Sequence, residues 1–239
     1  KEKYDQAIVT PNSLKSALVP FFAGIPHRIG FLGEYRYFLL NDIKLLDKAR
    51  LPGMVDRFLA LAGGSRINLA EPRLVTDPKN QESLVRRFDL KQDQPITAFC
   101  PGAEFGESKR WPESHFVSLG RDLVNEDHQV WLLGGPRDQE SASVIAAGIG
   151  LGCVNLTGKT SILDALDLVG LADRVVTNDS GLMHVAAAVG TRVIAIYGST
   201  SPSFTPPLTD QAEIVSLQLD CSPCFKRQCP FGHNDCMKK

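Results

Sequence analysis

The chain has no apolar run near the roughly 18 residues that a membrane span needs. Its longest apolar stretch, Ala17-Leu18-Val19-Pro20-Phe21-Phe22-Ala23, is short and interrupted by a proline. An excess of either charge is also lacking: 26 Lys and Arg face 27 Asp and Glu, for a net charge of −1. Nucleic-acid partners, which call for a basic surplus, are therefore not expected. The charged opening Lys1-Glu2-Lys3-Tyr4-Asp5 is not followed at once by an apolar segment, so it does not read as a signal peptide. Internal repeats and low-complexity segments are absent. These features make a cytoplasmic protein the expectation, with its six cysteines kept as thiols or metal ligands rather than disulfides.

What is present is an ordinary globular composition, 43% hydrophobic and 22% charged, in 239 residues. That length suits one large domain or two small ones, at roughly 100–200 residues each. Short β-branched runs alternate with amphipathic stretches. Strands are predicted at 7–10, 28–31, 96–100, 130–133, 153–156, 174–177 and 193–197. Helices are predicted at 14–19, capped by Ser13 and ended by Pro20, and at 55–61, 82–88, 112–125, 142–149, 162–171 and 182–189.

This alternation points to βαβ units and parallel sheets, and strands apolar at every position suit a sheet covered on both faces. Ligands in such folds bind beyond the carboxyl ends of the strands, which singles out loops 101–110, 134–139, 178–181 and 198–207. Residues 73–94, near Pro72 and Pro78, read as a linker between a unit at 1–72 and a second at 95–239. The first unit has too few elements for a complete doubly wound domain and is expected to begin mid-domain.

Five segments carry candidate chemistry, one of them Tyr197-Gly198-Ser199-Thr200-Ser201-Pro202, whose hydroxyls and glycine suit phosphate or base but also a plain turn. The loop Cys100-Pro101-Gly102-Ala103-Glu104-Phe105-Gly106-Glu107-Ser108-Lys109-Arg110-Trp111-Pro112 leaves a strand and enters a helix. Its glycines allow close backbone approach, and Lys109 and Arg110 suit a diphosphate, although a solvated basic loop has the same composition. In Asn178-Asp179-Ser180-Gly181-Leu182-Met183-His184, free N–H groups at a helix start form an anion site; Asp179 or Ser180 also suits plain N-capping, and His184 suits a packed histidine. In Gly134-Gly135-Pro136-Arg137-Asp138-Gln139-Glu140 a carboxylate is placed to hold a ribose hydroxyl or to favour a helix N-terminus. The tail gathers Cys221, Cys224, Cys229 and Cys236, a set able to bind zinc or an iron–sulfur cluster, although gaps of four and six residues match no standard finger. Lys226 and Arg227 add positive charge there, suited to a phosphorylated acceptor.

Several stretches, in order along nearly the whole chain, resemble the ADP-heptose:lipopolysaccharide heptosyltransferase II family within glycosyltransferase family 9. They are Pro11-Asn12-Ser13 with Lys15-Ser16-Ala17-Leu18, Phe22-Ala23-Gly24-Ile25-Pro26-His27-Arg28, Leu40-Asn41-Asp42, Pro101-Gly102-Ala103-Glu104-Phe105-Gly106 with Lys109-Arg110-Trp111-Pro112, Asn178-Asp179-Ser180-Gly181-Leu182-Met183-His184, and Phe204-Thr205-Pro206-Pro207. The resemblance implies an α/β, GT-B-type fold of two Rossmann-like domains with parallel sheets, the N-terminal one incomplete. It implies inverting transfer of heptose from ADP-heptose to the first heptose of the inner core (heptosyl-Kdo2-lipid A), without metal or other cofactor, at the inner face of the inner membrane through peripheral contact.

By the same resemblance, Lys109 and Asp179 are catalytic. The donor would be held by Gly102, Ala103, Glu104, Lys109, Asp138 (or Glu140), Asp179, Ser180, Gly181 and His184. Asn12, Ser13, Lys15, Arg28, Lys226 and Arg227 are the acceptor-side candidates. The family's opening strand, Gly-rich loop and general-base aspartate do not precede Lys1, and its closing helix does not follow Lys239, so this chain alone is expected to bind ADP or ADP-heptose and to transfer heptose poorly. Competing readings are a heptosyltransferase I, a GT-B enzyme with another nucleotide sugar, and a non-catalytic module stabilised by metal at the cysteine tail.

Overall fold

A computed structural model describes residues 2–64 and 71–239. The chain forms two compact units, Lys1–Ala70 with Ser203–Thr205, and Glu71–Pro202 with Pro206–Lys239.

The first unit holds β1 (Gln6–Val9), α1 (Leu14–Phe22), β2 (His27–Phe31), β3 (Asp42–Lys44) and α2 (Met54–Leu61). Its three strands are parallel in the order β1-β2-β3. Ser13 Oγ accepts from Ser16 N at 3.3 Å, the cap expected for α1. Pro20 was expected to end that helix but lies buried inside it. A proline removes one donor, yet its carbonyl still accepts, here from Ile25 N at 3.1 Å, and the helix runs to Phe22. Two small clusters form the core: Val9, Ala17 and Leu40, and Ile29, Phe31 and Leu61. Segment 203–205 joins this unit through Met54 N–H, which donates to Phe204 O at 2.9 Å, and through Arg57, stacked over the Phe204 ring at 4.7 Å.

The second unit contains α3 (Pro78–Phe88), β4 (Ile96–Cys100), α4 (Glu113–Asn125), β5 (Gln129–Leu132), α5 (Gln139–Ile149), β6 (Cys153–Asn155), α6 (Ile162–Leu171), β7 (Arg174–Asn178), α7 (Gly181–Val189), β8 (Arg192–Ile196), β9 (Ala212–Val215) and α8 (Asp235–Lys238). Its six strands are all parallel, in the order β6-β5-β4-β7-β8-β9. The chain starts at the centre with β4, winds outward through β5 and β6, then returns to lay β7 on the other side of β4. The strand order therefore reverses between β4 and β7, and the crevice at their carboxyl ends is the topological switch point where such sheets bind ligands.

Alternate residues of each central strand enter opposite cores. Ala98 and Cys100 of β4, Trp131 of β5 and Val175 of β7 pack with Leu168 of α6 and Met183 of α7. Phe99, Val130, Leu132 and Val176 pack on the other face with Phe116 of α4 and Ile145 of α5. Both faces are covered, which explains why these strands read as unbroken apolar runs.

The stretch expected to be a linker is part of this unit. Asp77 caps α3 by accepting from Lys79 N at 2.9 Å, and Pro78 occupies its first turn. The helix is fastened to α6 by Asp167, whose carboxylate accepts from Asp77 N at 2.8 Å and Asn80 Nδ2 at 2.7 Å, while Leu84 is buried. α3 is polar apart from Leu84, Val85 and Phe88, which pack on the core, so its second half is the part predicted as a helix, at 82–88.

Candidate functional site

Two strand-to-helix junctions meet at the switch point. β4 and β7 are neighbours, with Cys100 opposite Thr177 in register, so the loops that follow leave the sheet side by side. Asn178, the last residue of β7, ties them together. Its fully buried amide donates to Pro101 O at 2.7 Å and accepts from Trp111 N at 3.1 Å. One side chain thus fixes both ends of the loop that carries Lys109.

That loop closes with a single 3-10 turn, Glu107–Lys109, which aims Lys109 across the crevice. Its Nζ lies 2.6 Å from Asp179 Oδ2 and 3.3 Å from Asp179 O. The pair is sheltered, with side-chain exposures of 14% and 5%. Thr200 Oγ1 donates to the same Asp179 oxygen at 2.7 Å. Lys109 also sits over the Phe105 ring, 5.0 Å from its centre. Burial, followed by the charge of Asp179, pushes the Tyr197 phenol well above its ordinary range.

The plain N-capping reading of Ser180 does not hold, because its side chain makes no capping hydrogen bond to α7. Nothing lies within 4 Å of a Cβ placed on Gly181, so the start of α7 faces open space. His184, one turn further on, is exposed and its pKa is lowered, first by partial burial and then by Lys109, against an opposing influence from Asp179. This shift favours the neutral imidazole.

Asp138 is at the site but engaged. Its carboxylate accepts from Gly135 N at 3.0 Å and stands 4.0 Å from Arg110. A Cβ on Gly102 would lie 2.5 Å from Asp138 Oδ2, which shows why glycine occupies that position. Glu140, in the first turn of α5, is exposed; Ala103 is buried; Glu104 forms an exposed ion pair with Arg137 at 3.1 Å.

The tail lies against this same loop. Ser108 Oγ donates to Lys226 O and lies 3.0 Å from Ser199 Oγ, while Ser108 N–H donates to Arg227 O at 3.3 Å. Phe225 N–H donates to Ser199 O at 2.8 Å. A Cβ on Gly106, whose φ is +154°, would collide with the Arg227 carbonyl. Lys226 and Arg227, expected on the acceptor side, are thus placed in the second unit beside the Lys109 loop.

From the sequence, the tail cysteines stand only as an alternative metal set beside a metal-free reading. Among the described residues no group of three or more His, Cys, Asp or Glu side chains is arranged to hold a metal ion, and Cys221, Cys224, Cys229 and Cys236 are free thiols. Cys236 packs instead as an apolar residue next to buried Met237 against Gly198, and burial raises its pKa.

In the first unit, Asn12 and Ser13 follow the carboxyl end of β1, with Lys15 exposed in the first turn of α1. Arg28 lies at the opposite end of the sheet, since β2 begins at His27 opposite Gln6. Its guanidinium donates to Leu39 O at 2.7 Å and Ile25 O at 2.6 Å, a bracing role that separates it from the other three candidates. Asn178 and Ser108 were given no role from the sequence, and the hydroxyls of Ser199 and Thr200, flagged for phosphate or base, are engaged with Ser108 and Asp179. Asn178 and Thr200 lie in flagged loops, but nothing local marks their partners 67 and 21 positions away.

The profile of Glycosyltransferase family 9 (heptosyltransferase) matches residues 1–234. The chain is 45% identical over 230 residues to lipopolysaccharide heptosyltransferase 2 of Escherichia coli (strain K12), covering 91% of this chain and 66% of that protein. It is 45% identical over 232 residues to lipooligosaccharide heptosyltransferase 2 of Haemophilus influenzae, covering 91% of this chain and 67% of that one. The solved structure of E. coli ADP-heptose lps heptosyltransferase II superposes with a TM-score of 0.80 at 45% identity, over 90% of this chain and 69% of that one. The chain thus spans about two thirds of the length of the relatives it matches.

Proposed function

From the premise that this chain belongs to glycosyltransferase family 9 and has the α/β, parallel-sheet architecture of GT-B heptosyltransferases, we propose that its second unit binds ADP-heptose, and that the protein transfers heptose with inversion to the first heptose of the lipopolysaccharide inner core. The observation that carries this reading is the convergence of Lys109 and the α7 N-terminus on one crevice at the switch point.

As the bond from the anomeric carbon to the diphosphate breaks, negative charge builds on the leaving oxygens while the sugar becomes oxocarbenium-like. The acceptor oxygen attacks the opposite face and gives its proton to a general base. An ammonium and open backbone amides aimed at the leaving group stabilise that charge without rearranging, which is where electrostatic catalysis is most effective. Asp179 holds Lys109 in position through their 2.6 Å contact, and its carboxylate, with His184, orients the sugar. Asp138 steadies the loop junction near the adenosine ribose. No cofactor is required.

No helix among the described residues is long and apolar enough to cross a membrane. We place the working protein in the cytoplasm, at the inner face of the inner membrane, where its lipid-linked acceptor would be met by peripheral contact.

Calorimetry of the 239-residue chain with ADP, ADP-heptose and UDP tests the donor assignment. ADP and ADP-heptose are expected to bind with similar affinity and UDP much more weakly. Preference for UDP would transfer the protein to another nucleotide sugar and overturn the assignment.

A further inference from the structure

The donor site is electrically balanced in an uneven way. Each cation of the Lys109 loop and its neighbour faces a carboxylate: Lys109 and Asp179 at 2.6 Å, Arg110 and Asp138 at 4.0 Å, Arg137 and Glu104 at 3.1 Å. A diphosphate brings further negative charge, which these neutralised pairs offset only in part. Arg227 is different. Among the described residues it has no ion-pair partner, and its guanidinium carbon stands 5.8 Å from the centre of the Phe105 ring. Lys109 Nζ stands 5.0 Å from the same ring. One aromatic side chain therefore orients two cations, one compensated and one not.

The position of Arg227 is also built rather than incidental. Its carbonyl accepts from Ser108 N at 3.3 Å, Gly106 leaves space for its backbone, and Ser108 and Ser199 fasten the adjoining residues 226 and 225. A loop anchored this way carries its side chain to a fixed place next to the phosphate-facing lysine. Glu107, also exposed in this region, has no described contact that orients its carboxylate.

We infer that Arg227 is a donor-binding residue that meets the diphosphate, so that the cysteine-rich tail forms one wall of the nucleotide-sugar site rather than an acceptor surface. This rests on the donor-site reading above. A guanidinium presents paired donors to phosphate oxygens, and its cation–π contact lowers the freedom it would lose on binding.

The test is calorimetry of the 239-residue chain and its variants with ADP and AMP at fixed ionic strength. Arg227→Gln should weaken ADP by about tenfold, the scale of a hydrogen bond to a charged group, and AMP by clearly less. Arg227→Lys should recover part of the loss, and Lys226→Gln should change ADP affinity by less than about twofold, as an exposed charge whose side chain does not stack on Phe105 does. Unchanged ADP affinity in Arg227→Gln would overturn the inference, as would equal losses for ADP and AMP or an equal loss in Lys226→Gln. If Arg227→Gln melts early, the Lys variant and Lys226→Gln decide the matter by the same comparison. Failure of the unaltered chain to bind ADP is a separate outcome: it removes the donor-site reading, and this inference with it.

Discussion

Each unit places a sheltered cation beside the turn that follows a strand, and the two cations are held in opposite ways. Arg36 in the first unit is fully buried and surrounded by neutral oxygens: Phe31 O at 2.6 Å, Pro11 O at 2.6 Å, Asn12 Oδ1 at 3.1 Å and Ser13 O at 3.2 Å. Burial lowers its pKa, against an opposing influence from Glu34. Lys109 in the second unit keeps 14% side-chain exposure and leans on one carboxylate. A guanidinium saturated by fixed carbonyls has nothing left to offer a ligand. An ammonium with three donors, tethered by a carboxylate at an open crevice, can take an incoming anion without moving far. The first arrangement is scaffold, and the second suits the binding role proposed for Lys109.

Substitutions should separate the two. The largest effect is expected from Arg36→Met, which strands several buried acceptors of the Pro11–Ser13 turn. The loss should be about 3 kcal/mol or more in denaturant unfolding of the first unit, at 1–3 kcal/mol per unsatisfied buried group, with ADP affinity unaltered. Lys109→Ala should do the reverse. ADP affinity should fall by roughly ten- to a hundredfold, as when one charge-stabilising donor is removed, while Asp179 keeps the Thr200 hydrogen bond and the melting temperature moves less than in Arg36→Met. If Arg36→Met weakens ADP as much as Lys109→Ala does, the contrast is wrong.

A smaller effect is expected at His184. Its lowered pKa means that the unfolded chain binds the proton more readily than the folded one. Its contribution to stability is therefore present above the ordinary histidine pKa of about 6.5 and is lost as pH falls through the lower folded value. Proton NMR of the imidazole should show a midpoint below 6.5 in the free protein and a higher one with ADP bound, because a nearby diphosphate favours the charged ring. A midpoint that ignores ADP would remove His184 from the site. The smallest effect belongs to Glu104→Gln. Its ion pair with Arg137 is exposed on both sides, and such pairs contribute little. No measurable change in melting temperature is expected, and a clear one would show that this loop is more tightly built than its exposure suggests.

The second unit was largely legible because its strands are buried on both faces. Residues 96–100 and 162–171 coincide with β4 and α6, and of the loops flagged from strand ends 101–110 and 178–181 meet at the crevice, with Asp138 and Thr200 of the other two beside them. What escaped was short, polar or dependent on distant partners. β3 and β9 are short strands with no buried residue, so neither carries the buried apolar run that marked the central strands. Only the second half of α3 was predicted, at 82–88; its start read as linker because the hold of Asp77 and Asn80 on α6 runs through Asp167, some 90 positions away. The bridging role of Asn178 and the fit of Gly106 against Arg227 exist only once residues far apart in the chain are brought together. Cysteine spacing in the tail likewise left metal and plain thiols open, and it could not show that Cys236 also packs on the core beside Met237.

The central claim is that the loop after β4 and the turn after β7 grip one diphosphate. Amide NMR of the 239-residue chain during ADP titration reads both at once. The account predicts that Gly102, Gly106 and Lys109 in one loop, and Ser180, Gly181 and Leu182 in the other, shift together with a single dissociation constant. Shifts confined to one of the two loops, or two different dissociation constants, would contradict it.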